Sequence, residues 1–201
     1  MLKNYILYLE FITAKIQKFF DEQKEYIFCH KGCAKCCMYG QYPYTRIEFE
    51  LVKQGFNSLS YDTKMLINKK IESIINAKKE HFEKTPDKKF RYECPFLINN
   101  VCSVYPYRGL VCRAFGLMCF KPDSKEIPKV PFCAYEGLNY SNAIDIDKNN
   151  FPVEKFKSLG FKTEPKAYNI DYVTLIDDDF AKGFHFEFGE VKPLIDWIDQ
   201  Y

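Results

Sequence analysis

The strongest constraint on this chain is a stretch with four cysteines in nine residues, Cys29-His30-Lys31-Gly32-Cys33-Ala34-Lys35-Cys36-Cys37. The sequence holds nine cysteines in all, and the other five are Cys94, Cys102, Cys112, Cys119 and Cys133. So many thiols in a chain without an evident export signal are typical of metal ligands rather than of disulfides. Buried free cysteines acting as small apolar side chains would account for one or two of them, but not for nine.

The spacing C-x3-C-x2-C-C lets one short loop place several sulfurs around a soft cation, at metal–sulfur distances of about 2.3 Å. Gly32 relaxes the backbone inside that loop. Because adjacent side chains are expected to diverge, Cys36 and Cys37 would need a strained arrangement to bind one ion. We therefore expect them to bind two different ions, or one to bind while the other packs in the core. Together with the later cysteines, this predicts two four-cysteine sites or one multinuclear cluster.

Eight cysteines are the predicted metal ligands, and the role of Cys133 is left open. The eight are Cys29, Cys33, Cys36, Cys37, Cys94, Cys102, Cys112 and Cys119. The number of cysteines does not separate zinc from an iron–sulfur cluster, because both accept four thiolates. Sulfur as the donor atom does exclude magnesium and calcium as the main ions. Arg108 and Arg113 lie beside cysteines in the sequence. We predict that they bind a cofactor or offset the charge of the thiolates.

Composition predicts one small domain that can bury a core, since the 201 residues are 47% hydrophobic and 17% aromatic. The formal net charge of +2 gives no indication of nucleic-acid binding. Residues 139–201 carry 7 basic against 12 acidic side chains, whereas residues 1–138 carry 22 against 15. We therefore predict a cysteine-cluster metal-binding domain over residues 1–138, with an acidic C-terminal extension, residues 139–201, packed on it.

Hydrophobic periodicity predicts a mainly α fold with little β structure, in which helices surround a loop-rich, metal-stapled centre. Thr45 and Glu48 have the capping-box pattern in front of one predicted helix, and Gly55 is expected to end it. Asp62 or Thr63 is expected to cap the next helix. The predicted helices cover residues 3–26, 46–54, 64–83 and 151–160, with a last helix within 189–198.

Of the cysteines after residue 93, Cys94 and Cys102 are predicted to lie in a small hairpin and Cys112 in a short helix that follows a turn. The Asn99-Asn100 pair between short apolar runs predicts a tight turn that brings Cys94 and Cys102 together. A proline-punctuated loop is expected to carry Cys119 and Cys133. No stretch approaches the roughly 18 apolar residues of a transmembrane helix, and no signal peptide is evident. We therefore expect a cytoplasmic location, where thiols stay reduced, and no membrane partner.

The two cysteine regions together resemble the YkgJ or CxxCxxCC family, whose members are described as zinc- or iron-chelating domains. The resemblance spans roughly residues 29–133, about half of the chain. Two departures are evident: the first cysteine gap is one residue longer, and Gly109 stands where the family usually has proline. The matching elements are Cys29-x3-Cys33-x2-Cys36-Cys37, Cys94-Pro95-Phe96-Leu97, Cys102-Ser103-Val104-Tyr105, Arg108-x3-Cys112-Arg113 and Cys119.

A related group, the flagellin lysine N-methylases, carries a similar cysteine cluster and is associated with iron–sulfur binding and methyl transfer from S-adenosylmethionine. The resemblance implies a metal-binding protein with zinc or an iron–sulfur cluster, and as an alternative an iron–sulfur enzyme related to these methylases. The chain contains no glycine-rich strand-to-helix turn for S-adenosylmethionine. Whether it is an enzyme, and whether it has a protein partner, stays open at this point.

Overall fold

The computed structural model describes residues 1–40, 42–121, 124–145, 158 and 160–200. The fold is mainly α with little strand, as predicted. The described chain forms two compact units, each assembled from separate stretches: Met1–Leu2, Lys31–Cys112 and Phe186–Tyr201 in the first, Lys3–His30 and Arg113–His185 in the second. We predicted consecutive segments, 1–138 and 139–201. Whether those segments behave as domains stays a prediction.

The first unit is built on helices α2 (Lys35–Met38), α3 (Arg46–Asn57), α4 (Tyr61–Lys84) and α8 (Leu194–Asp199). Strand β1 (Pro43–Thr45) pairs antiparallel with β7 (Val191–Pro193), so that the C-terminal stretch belongs to this unit. Strands β2 (Leu97–Ile98) and β3 (Val101–Cys102) form a hairpin. The core of the unit consists of Tyr44, Phe49, Val52, Ile67, Phe96, Val104, Leu194 and Trp197.

The predicted capping box at the start of α3 is confirmed. The Thr45 side chain accepts from the backbone N–H of Glu48, and the Glu48 side chain accepts from that of Thr45. The prediction that Gly55 ends this helix is wrong, because α3 continues to Asn57. A Cβ atom at position 55 would lie 2.6 Å from Cγ of Tyr107, so the glycine allows close packing inside the helix.

Helix α4 begins three residues earlier than predicted, and its cap is Ser60 rather than Asp62 or Thr63. The Ser60 hydroxyl accepts from the backbone N–H of Thr63. At the C-terminus, the predicted helix is present as α8, and the residues before it form β7. The helix predicted over residues 151–160 falls almost entirely outside the described residues.

The second unit contains helix α1 (Leu2–Glu22) except for its first residue, and the last two residues of α5 (Leu110–Ala114). It also contains α6 (Tyr172–Leu175) and α7 (Asp178–Ala181). Its three-stranded sheet has the order β5–β4–β6, with β4 Met118–Lys121, β5 Ser124–Lys129 and β6 Ala167–Tyr168. Strand β5 is antiparallel to β4, and β6 is parallel to it. The loop predicted around Cys119 is therefore partly a hairpin, a correction to our expectation. Cys133 lies in the 3-10 helix Phe132–Glu136.

None of the helices in the described part of the chain has the length and apolar character needed to cross a membrane.

Candidate metal centre

Six of the predicted ligands lie in the first compact unit, and five of them come together there. We call Cys36, Cys37, Cys94, Cys102 and Cys112 the five-thiol cluster. Their charges act on one another, so each lies within electrostatic reach of other members. They come from three separated segments: α2, the β2–β3 hairpin with the residues before it, and α5. Cys33, half-buried, precedes α2 in the same unit.

The first segment is a single helical turn that begins after a strained residue. Ala34 has a left-handed backbone with φ 52°, and its carbonyl oxygen accepts from the N–H of Cys37 at 2.8 Å. The N–H of Cys94 then donates to the carbonyl oxygen of Cys37 at 2.8 Å. The hydroxyl of Tyr42 donates to the carbonyl oxygen of Cys36 at 2.5 Å. Hydrogen bonds of the peptide groups thus join α2 to the second cysteine segment.

The Cys36 and Cys37 side chains do not diverge as we expected, because their sulfurs lie 3.9 Å apart. Four sulfurs that surround zinc in a tetrahedron at 2.3 Å are about 3.8 Å from one another. The doublet therefore already has the spacing of one tetrahedron edge, and its two sulfurs need not belong to different ions.

The hairpin that carries Cys102 confirms the predicted Asn-Asn turn. Asn99 and Asn100 have φ values of 49° and 60°, as a two-residue turn with two left-handed positions requires. Leu97 pairs with Cys102 in the register, and the N–H of Leu97 donates to the carbonyl oxygen of Cys94 at 3.0 Å. The turn therefore brings Cys94 and Cys102 to the same end of the hairpin.

A buried carboxylate positions the segment that carries Cys112. Glu48 is only 1% exposed. Its Oε2 accepts from the N–H of Thr45 at 2.7 Å and from the Thr45 hydroxyl at 2.9 Å, and its Oε1 accepts from the N–H of Leu110 at 2.7 Å. Since Leu110 begins α5, this side chain ties the start of α5 to the start of α3 and places Cys112.

Gly109 allows this close approach. A Cβ atom there would lie 2.7 Å from Cε1 of Tyr44 and 2.9 Å from Oε1 of Glu48. Any residue with a Cβ atom at position 109 would therefore clash with Tyr44 or Glu48. The N–H of Gly109 also donates to the Tyr44 hydroxyl at 3.4 Å, a contact that proline lacks.

Sequence reasoning missed the two tyrosines of the site, Tyr42 and Tyr44. The Tyr44 hydroxyl lies 3.3 Å from the sulfur of Cys112, and the residue is buried. Both lie at or beside strand β1, Pro43–Thr45, a strand that the sequence analysis did not predict. The alternation of aromatic residues around Pro43, directly after the cysteine doublet, is the strand signal that could have found them.

Burial and mutual contact set the proton affinities of the thiols. Burial raises the pKa of Cys94 and Cys102, and it raises that of Cys112 to about 12. The hydrogen bond between the sulfurs of Cys36 and Cys37 lowers the pKa of Cys36 to about 7 and raises the pKa of Cys37. The positive charge of Arg108 favours the thiolates of Cys36, Cys102 and Cys112.

The two arginines predicted to bind a cofactor lie in different units. Arg108 is beside the five-thiol cluster, where its guanidinium stacks at 3.5 Å on the exposed ring of Tyr105. Arg113 belongs to the second unit and donates to the Thr13 hydroxyl at 3.1 Å. Of these two arginines, Arg108 is the one whose charge is seen to act on Cys36, Cys102 and Cys112.

Three cysteines belong to the second unit and have surroundings of their own. Cys29 is exposed, and its N–H donates to Oδ1 of Asn139 at 3.0 Å. The sulfur of Cys119 lies 4.0 Å from Oδ2 of Asp171. Cys133 is buried. Burial, followed by the Asp171 charge, raises the pKa of the Cys119 thiol.

In the described ranges, no group of three or more His, Cys, Asp or Glu side chains is arranged so that it could hold a metal ion. The five thiols therefore lie near one another, but their sulfurs do not yet surround a single metal position. The chemistry of the donor set nonetheless fits a soft metal, since it consists of sulfurs with a hydroxyl and a guanidinium beside them.

A scan against protein-family models, a search of curated proteins and a search of solved structures each gave no match. The resemblance to the YkgJ family therefore rests on the motifs quoted above, and membership of that family stays a prediction.

Proposed function

We propose that this protein binds a thiophilic metal, as zinc or as an iron–sulfur cluster, through the five-thiol cluster. The observation that carries the proposal is the gathering of thiols from three separated segments in one compact unit. Five neighbouring thiolates would repel one another, as the raised pKa values of Cys37, Cys94 and Cys112 reflect in part. A bound cation offsets this repulsion and stabilises the thiolate forms.

The 3.9 Å spacing of the Cys36 and Cys37 sulfurs supports this assignment, because it matches one edge of a tetrahedral site. The remaining sulfurs, those of Cys94, Cys102 and Cys112, would have to move closer to complete the coordination. Arg108 would balance part of the negative charge of the loaded site. The donor set is compatible with either metal form, and the proposal requires reduced thiols, consistent with the cytoplasmic location that we predict.

The proposal narrows the eight predicted ligands to five. Cys33 lies three residues before Cys36, just ahead of α2, and is the natural additional ligand in this unit. Metal ligation by Cys29 and Cys119, which lie in the second unit, stays a prediction. So does the alternative function, an iron–sulfur enzyme related to lysine N-methylases.

Metal analysis of the full chain purified anaerobically, with its visible absorption spectrum and zinc titration, tests the proposal. Cys94→Ala and Cys112→Ala are expected to lower metal affinity by roughly 100-fold or more, because loss of even an outer-shell partner costs 10–100-fold. Cys29→Ala and Cys119→Ala are compared with them: if the five-thiol cluster alone holds the metal, both variants retain it, and if either cysteine is also a ligand, its variant loses affinity. A wild-type chain that carries no metal and takes up neither zinc nor an iron–sulfur cluster would overturn the proposal.

A further inference from the structure

We propose that Tyr44 is a positioning residue whose phenol O–H donates to the sulfur of Cys112 and so tunes the bond between that sulfur and a bound metal. This inference rests on the proposed function and adds a residue that does not itself bind the metal. The contact that suggests it is the 3.3 Å separation of the Tyr44 hydroxyl and the Cys112 sulfur.

The direction of this hydrogen bond in the metal-bound state follows from what each partner can donate. The backbone N–H of Gly109, at 3.4 Å, can only donate, so the phenol oxygen accepts from it. The single phenol proton is then available to Cys112. A metal-bound thiolate has no proton to offer and can only accept. The Gly109 N–H therefore donates to the Tyr44 oxygen, and the Tyr44 O–H donates to the sulfur of Cys112.

Both ends of the O–H···S contact are fixed by the fold. Tyr44 is 4% exposed, its backbone is paired in β1, and its carbonyl oxygen accepts from Nε1 of Trp197 at 2.8 Å. On the other side, Glu48 holds the start of α5, and the missing Cβ of Gly109 lets the ring approach. Rotation of the ring away from Cys112 would require a buried side chain to repack.

A hydrogen bond to a ligating sulfur withdraws electron density from it. Partners outside the ligand shell tune metal affinity, and hydrogen bonds to sulfur help to set the reduction potential of iron–sulfur clusters. Tyr44 therefore makes Cys112 the weaker electron donor within the cluster. With an iron–sulfur cluster the bond raises the reduction potential, and with cobalt or zinc it reduces charge donation from this one sulfur.

Tyr44→Phe removes this hydroxyl, and Tyr42→Phe is the matched control. Tyr42 also lies beside the cluster, but its hydroxyl donates to the carbonyl oxygen of Cys36 rather than to a sulfur. Co²⁺ is titrated anaerobically into each full-length variant, and the thiolate-to-cobalt absorption band and the affinity are measured. We expect Tyr44→Phe to shift the band to longer wavelength and to change affinity by about tenfold. Tyr42→Phe is expected to leave the position of the band unchanged.

A double-mutant cycle in the metal-free chain tests the contact without metal. Tyr44→Phe combined with Cys112→Ala is expected to show a coupling of roughly fivefold to tenfold in the unfolding equilibrium constant, and Tyr42→Phe with Cys112→Ala none. Cobalt binding with the same band in wild type and Tyr44→Phe, or no coupling in the cycle, would overturn the inference alone. Wild-type protein that takes up neither cobalt, zinc nor an iron–sulfur cluster would overturn the proposed function and the tuning role together, whatever coupling the cycle gives.

Discussion

Both compact units place cysteines on irregular or short elements, yet the thiols of the two units have different surroundings. In the first unit, five thiols from three segments act on one another and on Arg108. In the second unit, Cys29 neighbours Asn139, and Cys119 neighbours Asp171. The spacing of cysteines in the sequence therefore does not by itself predict which thiols come together. The hydrogen bonds that hold each segment decide which thiols meet.

Each unit also contains a buried polar side chain that binds several backbone groups. In the first, Glu48 joins the starts of α3 and α5. In the second, Oδ1 of Asn139 accepts from the N–H groups of Phe28 and Cys29, and its Nδ2 donates to the carbonyl oxygen of Gly116 at 2.9 Å. The two side chains do the same structural work, but only Glu48 positions a member of the five-thiol cluster.

The largest expected effect comes from the buried thiols of the first unit, which make the metal-free chain lose stability at alkaline pH. Cys94 and Cys112 have raised pKa values when folded, Cys112 to about 12, whereas an unfolded thiol titrates near about 8.5. Above that pH the unfolded chain loses protons that the folded chain keeps. The free energy of unfolding therefore falls by about 1.4 kcal/mol per pH unit for each of these thiols. Denaturant unfolding under reducing conditions at pH 8.5, 9.5 and 10 measures this slope.

Ionisation of Cys36 raises the free energy of unfolding with pH instead of lowering it, but only below about pH 8.5. Its folded pKa of about 7 lies below the unfolded value, so its contribution to stability grows up to about pH 8.5 and then stays constant. Cys112→Ala is expected to reduce the alkaline slope by about one thiol, because the pKa of this thiol is raised by burial. An unaltered slope in Cys112→Ala would contradict the burial of this thiol in the folded chain.

The next effect concerns the two buried polar side chains. Glu48→Gln replaces one acceptor oxygen with an N–H₂ group that faces backbone donors, and Asn139→Ala removes three hydrogen bonds. Each is expected to lower the free energy of unfolding by about 2–3 kcal/mol. Only Glu48→Gln is expected also to weaken metal binding, because it loosens the segment that carries Cys112. Chemical denaturation and zinc titration provide the two measurements.

Glu50→Gln on the same helix is the control, since Glu50 forms only a partly exposed ion pair with Lys53. Its expected change in stability is within about 0.5 kcal/mol. Equal losses of zinc affinity in Glu48→Gln and Asn139→Ala would break the comparison, because the second unit would then matter as much to the site as the first.

The smallest effect tests close packing within the first unit. Helix propensity alone predicts that Gly55→Ala stabilises α3 by about 1 kcal/mol. The added Cβ would lie 2.6 Å from Cγ and 2.8 Å from Cβ of Tyr107, atoms at the root of a side chain that cannot swing away. We expect a net loss of about 1–2 kcal/mol in thermal or denaturant unfolding. Ser73→Ala, on the exposed side of α4, is the control and should raise the free energy of unfolding by about a few tenths of a kcal/mol. A rise in the free energy of unfolding at both sites would refute the close contact between Gly55 and Tyr107.

Local features of this protein were determined by the sequence itself. The capping box of Thr45 and Glu48 and the turn at Asn99 and Asn100 formed where their patterns predicted, and the amphipathic helix predicted over residues 3–26 is present as α1, Leu2–Glu22. Each depends on residues within a few positions of one another, so neighbouring side chains and backbone preferences are sufficient to specify it.

Only the tertiary structure decided which thiols meet and what holds them. Cys37, Cys94 and Cys112 are brought together by hydrogen bonds between distant segments, and Gly55 and Gly109 have their roles because side chains far along the chain approach them. The third hydrogen bond of Glu48 and the contact of Tyr44 with Cys112 are also of this kind. A periodicity or a spacing reports one segment at a time, whereas these contacts depend on how several segments pack against each other.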